Sequence, residues 1–158
     1  MSLSILNRNN KSILLDNIGN LVTANANSVK TIKNTSILIE NGKIASIGKG
    51  YSDNLINCKG KMVTSGFIDS HTHPVFYNKR DKEYAMRLSG LSYEEIAKKG
   101  GGIVSSVEGV RKSSKSQLIE KVKERMDLFI ANGTTTIEAK SGYGLDTESE
   151  LKSLEVID

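Results

Sequence analysis

The stretch that decides the fold is GFIDSHTHP, residues 66–74. It opens with a glycine and has an apolar centre at Phe67 and Ile68, which predicts a short buried strand over about 66–70. His71 and His73 follow directly, and side chains two residues apart on extended backbone point to the same face. Pro74 lacks the amide that strand pairing needs. We therefore expect the two imidazoles to lie close together at the carboxyl end of this strand.

Two neutral imidazoles on one face can chelate a single divalent ion. The pattern is also compatible with two surface histidines that bind nothing. Their position favours the metal, because parallel sheets place their active sites at the carboxyl ends of their strands.

Downstream of the histidines the sequence alternates between helices and a strand. Capping boxes predict helices that begin after Ser92, Ser114 and Thr147. The β-branched run over 134–139 predicts a strand between the last two of these helices. A strand, a helix, a strand and a further helix favour right-handed βαβ units and a parallel sheet.

Helical spacing predicts which side chains two of these helices bury. In the final helix, Leu151 and Leu154 share one side and are expected to pack. The apolar face of the helix after Ser114 is expected to comprise Ile119, Val122, Met126, Phe129 and Ile130.

Upstream, residues 12–64 are expected to form short strands. The clearest signal is Asn41-Gly42 between two apolar runs, 36–40 and 43–48. A type I′ hairpin turn needs positive φ at both central residues, which Asn and Gly tolerate. A β-hairpin is therefore predicted here, with weaker strand signals at Val22-Thr23 and 62–64.

Composition limits the classes of protein that the chain can represent. Its 158 residues carry a net charge of +4, and the basic residues alternate with acidic ones, as over 121–125, which indicates a solvated face and no nucleic-acid partner. The apolar runs are too short to cross a membrane. Cys58 is the single cysteine, which fits a reducing, cytoplasmic setting. A whole (β/α)₈ barrel needs about 250 residues and cannot fit.

Several motifs together resemble a known family. The strand with its His-x-His pair and the preceding hairpin resemble the amidohydrolase superfamily, which joins an N-terminal β-sandwich to a metal-bearing (β/α)₈ barrel. Finer motifs make the chain similar to the imidazolonepropionase family over about 37–158. These finer motifs are HPVFYNKR from His73, EYAMRLSG from Glu83, YEEIA from Tyr93, GGGI from Gly100 and EAKSGYGLD from Glu138.

The resemblance implies roles for particular residues. His71 and His73 match histidines that bind one zinc or iron ion, which is divalent or trivalent, and Arg80 and Tyr143 match residues that contact the substrate. That small molecule ends in an anionic propanoate, which a guanidinium can pair with bidentately. Without the family, Arg80 would be read as part of a solvated charge run and Tyr143 as an ordinary loop aromatic.

Two further polar residues, Glu138 and Lys140, lie at the end of the second predicted strand. They are kept as candidates for lining the site, and one of them is expected to face away. The general base and the remaining metal ligands are expected outside this chain, because catalytic zinc sites usually have three protein ligands plus water.

The sequence is thus interpreted as α/β, with 1–64 as part of an N-terminal β-sandwich and 65–158 as the first βα units of an incomplete metal-dependent (β/α)₈ amidohydrolase barrel. The resemblance implies an N-terminal part of a hydrolase that opens the cyclic amide of 4-imidazolone-5-propanoate to N-formimidoyl-L-glutamate in histidine degradation. The chain alone is expected to be inactive, and a homodimer of the full-length form is left open. The alternatives are another amidohydrolase, acting on a cyclic amide or nucleobase, and a non-catalytic metal-binding module.

Overall fold

The computed structural model describes residues 12–25 and 27–158. The chain divides into two compact units, Met1–Ser65 and Gly66–Asp158. The first eleven residues, which belong to the predicted sandwich segment, lie outside the described residues. No helix in the described ranges is long and apolar enough to cross a membrane.

The described part of the first unit forms one five-stranded sheet. The long strands β1 and β2 pair antiparallel, and β3 pairs antiparallel with β2. Two short strands, β4 and β5, run parallel to different parts of β1. The strands are β1 (Ser12–Asn25), β2 (Ser28–Glu40), β3 (Lys43–Ile47), β4 (Leu55–Asn57) and β5 (Met62–Thr64).

The predicted hairpin is confirmed at the turn between β2 and β3. Asn41 and Gly42 have φ angles of 51° and 75°, as a type I′ turn requires. The expectation of only short strands is wrong, because β1 and β2 span 14 and 13 residues. A bulge between Leu15 and Ile18 lets β1 absorb one extra residue and continue pairing.

A small apolar core underlies this sheet, with Ile18, Leu21 and Ile37 buried at its centre. Cys58 is partly buried and packs against this cluster. It behaves as a small apolar side chain.

The second unit places two parallel strands side by side, β6 (Phe67–Thr72) and β7 (Thr134–Ala139). The connection between them is helical, and a further helix follows β7. The helices are α1 (Asp81–Leu88), α2 (Tyr93–Lys98), α3 (Ile103–Lys112), α4 (Lys115–Ala131) and α5 (Thr147–Ile157). The buried core joins the segment after β6 to three helices through Val75, Val110, Leu118, Val122 and Val156. The predicted mixed α/β class, with parallel strands linked through helices, is confirmed.

The capping boxes at Ser92 and Ser114 are confirmed, since each serine hydroxyl accepts from the amide three residues on, and each serine amide donates to the side chain of that residue, Glu95 or Gln117. Helices α1 and α3 were not predicted. Neither has a side-chain cap at its start, and α1 buries no residue. Helix α1 thus lacks both signals that reveal a helix in a sequence, a cap and a buried apolar stripe, whereas α3 lacks only the cap and buries Val107 and Val110.

The predicted face of α4 is partly wrong. The helix buries Leu118, Val122 and Arg125, a stripe at spacings of four and three residues. Ile119 and Met126 pack at its margin, whereas Ile130 is 49% exposed. The reason is that Leu118 and Val122 join the cluster around Val75, which turns the helix by about one residue from the predicted orientation.

The start of α5 also differs from the prediction. Asp146, not Thr147, caps the helix, with its Oδ1 accepting from the Ser149 amide at 2.8 Å. The same carboxylate also lies 2.8 Å from the Nε atom of Arg111 in α3, a tertiary contact that favours Asp146 as the cap. The helix buries Ser149, Ser153 and Val156, so the expected packing of Leu151 and Leu154 is wrong, and both are about half exposed.

Candidate functional site

The two histidines meet at the carboxyl end of β6. His71 lies within the strand, which continues to Thr72 and is therefore longer than predicted, and His73 follows its last residue. The prediction of a buried strand is wrong, because β6 pairs only with β7 among the described strands, and Phe67 and Ile68 are 58% and 73% exposed. The Lys140 amide donates to the Thr72 carbonyl at 2.8 Å, which extends the pairing just past the end of β7. The Nε2 atoms of His71 and His73 lie 3.2 Å apart, so the predicted proximity is confirmed.

This separation suits a shared metal ion. Imidazole nitrogens about 2.0–2.1 Å from a tetrahedral zinc lie roughly 3.3 Å from each other. The observed 3.2 Å is close to that value, and it also suits an N–H···N hydrogen bond between the rings. The histidines offer two ligands, and no group of three or more His, Cys, Asp or Glu side chains in the described ranges could hold a metal.

The surroundings of the two rings differ. Asp69 accepts a hydrogen bond from the backbone amide of His71 at 3.1 Å. The Nδ1 atom of His73 is buried and has no hydrogen-bond partner. Metal-binding histidines normally donate this second N–H to an acceptor that fixes the ring. His73 is instead held by packing against an aromatic ring.

That aromatic ring belongs to Tyr143, in the loop that follows β7. The ring centroids of Tyr143 and His73 are 5.7 Å apart at an interplanar angle of 58°. Phe76 lies edge-on to Tyr143 with centroids 6.3 Å apart. The structure therefore brings Tyr143 together with the histidine pair, although 70 positions separate Tyr143 from His73 in the sequence.

Arg125 supports this aromatic cluster from α4. Its guanidinium carbon lies 3.4 Å from the centroid of the Phe76 ring, and its Nη1 donates to the Pro74 carbonyl at 3.0 Å. Burial lowers the pKa of Arg125. The interpretation of residues 121–125 as a solvated face is thus wrong for Arg125, which is 9% exposed. The sequence signal for this burial is the spacing of seven residues between Leu118 and Arg125, which places both on one face of α4.

Arg80 lies at the N-terminus of α1 and pairs with Glu83. Its Nε and Nη2 approach Oε2 of Glu83 at 2.8 and 2.6 Å. The hydrogen bond raises the pKa of Arg80 and lowers the pKa of Glu83.

A cavity of about 380 Å³ lies beside Arg80. Its lining includes three lysines, Lys79, Lys82 and Lys99, so its walls are cationic. A second cavity, of about 570 Å³, lies between α2, α3 and the start of α4. His71, His73 and Tyr143 line neither of these two cavities.

The strand-end candidates Glu138 and Lys140 pair with each other. The expectation that one of them faces away is wrong, because side chains two residues apart on extended backbone share a face. The Lys140 ammonium, and to a smaller extent His71, lowers the pKa of Glu138.

Comparisons with known proteins agree with this description. No protein-family model matches the sequence. The chain is 44% identical to an imidazolonepropionase of Bacillus cereus, in a match that covers 90% of the chain and 37% of that protein. It is 45% identical to an imidazolonepropionase of Clostridium tetani, covering 84% of the chain and 34% of that protein.

A solved triazine hydrolase from Arthobacter aurescens superposes with a TM-score of 0.57 at 19% identity, covering 92% of this chain and 33% of that one. At this identity the likeness concerns the fold alone. The chain spans little more than a third of the length of the curated relatives that it matches. The resemblance inferred from its motifs is confirmed, and over nine-tenths of its length this chain is similar to imidazolonepropionases.

Proposed function

We propose that this chain forms part of an imidazolonepropionase, a hydrolase that opens the cyclic amide C–N bond of 4-imidazolone-5-propanoate to give N-formimidoyl-L-glutamate in histidine degradation. The observation that carries the proposal is the His71–His73 pair, with Nε2 atoms 3.2 Å apart at the carboxyl end of a parallel strand, in a chain 44% identical to such an enzyme.

The proposal includes the architecture of the two units. We assign residues 1–64 to an N-terminal β-sandwich and 65–158 to the first βα units of a (β/α)₈ barrel. The division of the chain at Ser65 and Gly66 and the helical connection between β6 and β7 support this assignment, since parallel strands linked through helices are the building units of such barrels.

His71 and His73 are the residues proposed to hold zinc or iron. A bound ion would supply Lewis-acid polarisation of the ring carbonyl and a water of lowered pKa. The two side chains supply neutral nitrogen ligands on one face of the strand. Their rings are already oriented by Tyr143 and by strand geometry, so little rearrangement is needed for both nitrogens to converge.

Tyr143 and Arg80 are proposed to bind the substrate. The phenol of Tyr143 can hydrogen-bond the imidazolone ring while its face packs beside His73. Arg80 can pair with the propanoate, whose charge would replace that of Glu83. The cationic cavity beside Arg80 favours an anionic tail, because several positive side chains lower the electrostatic cost of bringing a carboxylate there.

The setting of the enzyme is also part of the proposal. We assign the enzyme to the cytoplasm and propose that its substrate is a small molecule. A homodimer is the assembly to be tested. The unpaired Cys58, packed in an apolar cluster, supports a reducing compartment.

A hybrid enzyme tests the function. In this hybrid enzyme the chain replaces the matching 37% of the Bacillus cereus relative. We expect hydrolysis of imidazolone propanoate and one tightly bound ion per chain, measured by absorbance and by elemental analysis. The chain alone, with two histidine ligands, is expected to be inactive.

Single substitutions then assign the ligands. His71→Ala and His73→Ala are each expected to abolish turnover and remove the bound ion. Cys58→Ser is the matched control. It removes a side chain that can also bind metals, but one that packs in the apolar cluster of the first unit, so the bound ion should be retained. Retention of the ion in both histidine variants would refute the metal assignment, and a well-folded, metal-loaded hybrid enzyme without turnover would refute the function.

A further inference from the structure

The loop over 141–145 joins β7 to α5 and carries two residues that contact His73. Tyr143 packs its ring against the imidazole, and Gly142 lies directly beside it. The loop has no helical or strand hydrogen bonding of its own. Its shape must therefore come from groups outside it.

The main such group is the carboxylate of Glu150, in the first turn of α5. Its Oε1 accepts from the backbone amide of Gly144 at 2.7 Å and from that of Leu145 at 2.8 Å. The side chain of Ser141, which precedes the tyrosine, also lowers the pKa of this carboxylate. Both backbone donors directly follow Tyr143, so one carboxylate holds the loop backbone on the carboxyl side of the tyrosine.

The backbone of the loop is adapted to this carboxylate. Leu145 has a φ angle of 54°, a conformation that residues with a Cβ rarely adopt. A Cβ at Gly144 would lie 2.7 Å from the Glu150 amide, so the loop runs directly against the start of α5. Both features bring amide groups within reach of one oxygen.

A second residue outside the loop, Arg111, binds a backbone carbonyl of the loop. Arg111, from α3, donates its Nε–H to the Gly144 carbonyl at 2.7 Å and lies 2.8 Å from the Asp146 carboxylate. Arg111 is 44% exposed, whereas Glu150 is half-buried. Of the two contacts, that of Glu150 is the better shielded from water.

We propose that Glu150 is a positioning residue, which places Tyr143 against His73 by binding the two backbone amides that directly follow the tyrosine. The inference rests on the proposed function only in making Tyr143 a substrate-binding residue. Burial raises the pKa of Glu150, but the hydrogen bonds from Ser141, Leu145 and Gly144 outweigh it and leave the pKa below its usual range. The side chain is thus a carboxylate at neutral pH.

The imidazole Cε1–H resonance of His73 reports on this arrangement. The sequence holds two histidines, so ¹³C-labelled histidine gives two signals, and the His71→Ala variant assigns them. The Tyr143→Leu variant of the 158-residue chain defines the position of the His73 signal without the aromatic contact. The measurement requires neither substrate nor metal.

We expect Glu150→Ala to move the His73 signal most of the way to its Tyr143→Leu position. Glu150→Gln keeps an oxygen acceptor and is expected to restore most of the original position, whereas Glu150→Asp is too short to reach both amides and is not. In the Tyr143→Leu background, Glu150→Ala should leave the His73 signal unchanged. Glu148→Ala is the matched control, because Glu148 lies exposed in the same helical turn.

An unchanged His73 signal in folded Glu150→Ala protein overturns the proposal. The same conclusion follows if Glu148→Ala moves the signal equally, which would indicate a general effect of charge at the start of α5. If Glu150→Ala does not fold, the Gln and Asp variants decide, and equal spectra for these two overturn it. A hybrid enzyme without turnover would refute the proposed function but would not change these spectra.

Discussion

Gly142 lies in direct contact with the imidazole of His73. A Cβ at position 142 would lie 2.7 Å from Cε1 and 2.8 Å from Nδ1 of that ring. This glycine also has a φ angle of 153°. Its missing side chain is therefore what allows the loop after β7 to close over the end of β6.

Gly142→Ala is expected to displace the His73 ring and weaken binding of zinc by the hybrid enzyme. Loss of a group that orients a metal ligand costs about ten- to hundredfold in affinity. Competition with a chromophoric chelator measures this change. Gly90→Ala is the control, because Gly90 has a positive φ of 93° but nothing within 4 Å of an added Cβ. Equal zinc affinity in the Gly142 and Gly90 variants would contradict the prediction.

Arg125→Met is expected to lower the free energy of unfolding by about 1–3 kcal/mol, because it removes a shielded cation–π contact and leaves the Pro74 carbonyl without its charged donor. Urea unfolding measures the loss. Arg125→Lys keeps the charge but lacks the planar guanidinium. Its free energy of unfolding should lie between those of the original chain and of Arg125→Met. Lys123→Ala, an exposed neighbour on α4, should change little, and a similar loss there would argue against the Phe76 contact.

Glu83→Gln is expected to tighten binding of the propanoate substrate. Arg80 is already paired with Glu83, so a substrate carboxylate must displace this partner. Exposed ion pairs contribute about 0.2–1 kcal/mol, which corresponds to a decrease in KM of roughly fivefold at most. Steady-state kinetics of the hybrid enzyme measure KM, with the exposed Glu94→Gln as control. A raised KM would mean that Glu83 orients Arg80 and does not compete for it.

The same pair predicts how stability depends on pH. The hydrogen bond from Arg80 holds the pKa of Glu83 below its usual range. The folded state therefore binds the proton of Glu83 less readily than the unfolded state. The stabilisation is complete above the unfolded pKa of about 4.3 and is lost as pH falls through the lowered pKa. Urea midpoints between neutral and acid pH should fall less steeply in Glu83→Gln than in the original chain, and parallel curves would contradict this.

Asp146→Ala is expected to lower the thermal midpoint of unfolding clearly more than Thr147→Ala. The Asp146 carboxylate accepts from the Ser149 amide and contacts Arg111, whereas Thr147 is exposed as the first residue of α5. Calorimetry of the two variants compares them directly. If Thr147→Ala caused the larger decrease, the cap predicted from the sequence would be the correct one.

Local chemistry made part of the fold predictable. The turn at Asn41-Gly42 and the caps at Ser92 and Ser114 are determined by residues no more than three positions apart, and the structure confirms each. The His-x-His pair is local in the same sense, since period-two alternation alone brings His71 and His73 to one face. For these features the sequence contains all the interacting groups.

Tertiary structure decided the features in which competing local choices were nearly equal. Either Asp146 or Thr147 can begin α5, and the carboxylate is used because it also meets Arg111 from α3. Either of two adjacent stripes of α4 can face inward, and the cluster around Val75 selects the one with Leu118.

The sequence by itself determined the turn, two caps, the alternation of elements and the histidine pair, because the groups involved are neighbours in the chain. Only the tertiary structure decided that Tyr143 packs on His73, that Arg125 lies on Phe76 and that Glu150 holds the loop over 141–145. The contacts of Tyr143 and Arg125 join segments 70 and 49 positions apart. No periodicity encodes such distant partners, which come together only when strands and helices pack and exclude water from the same core.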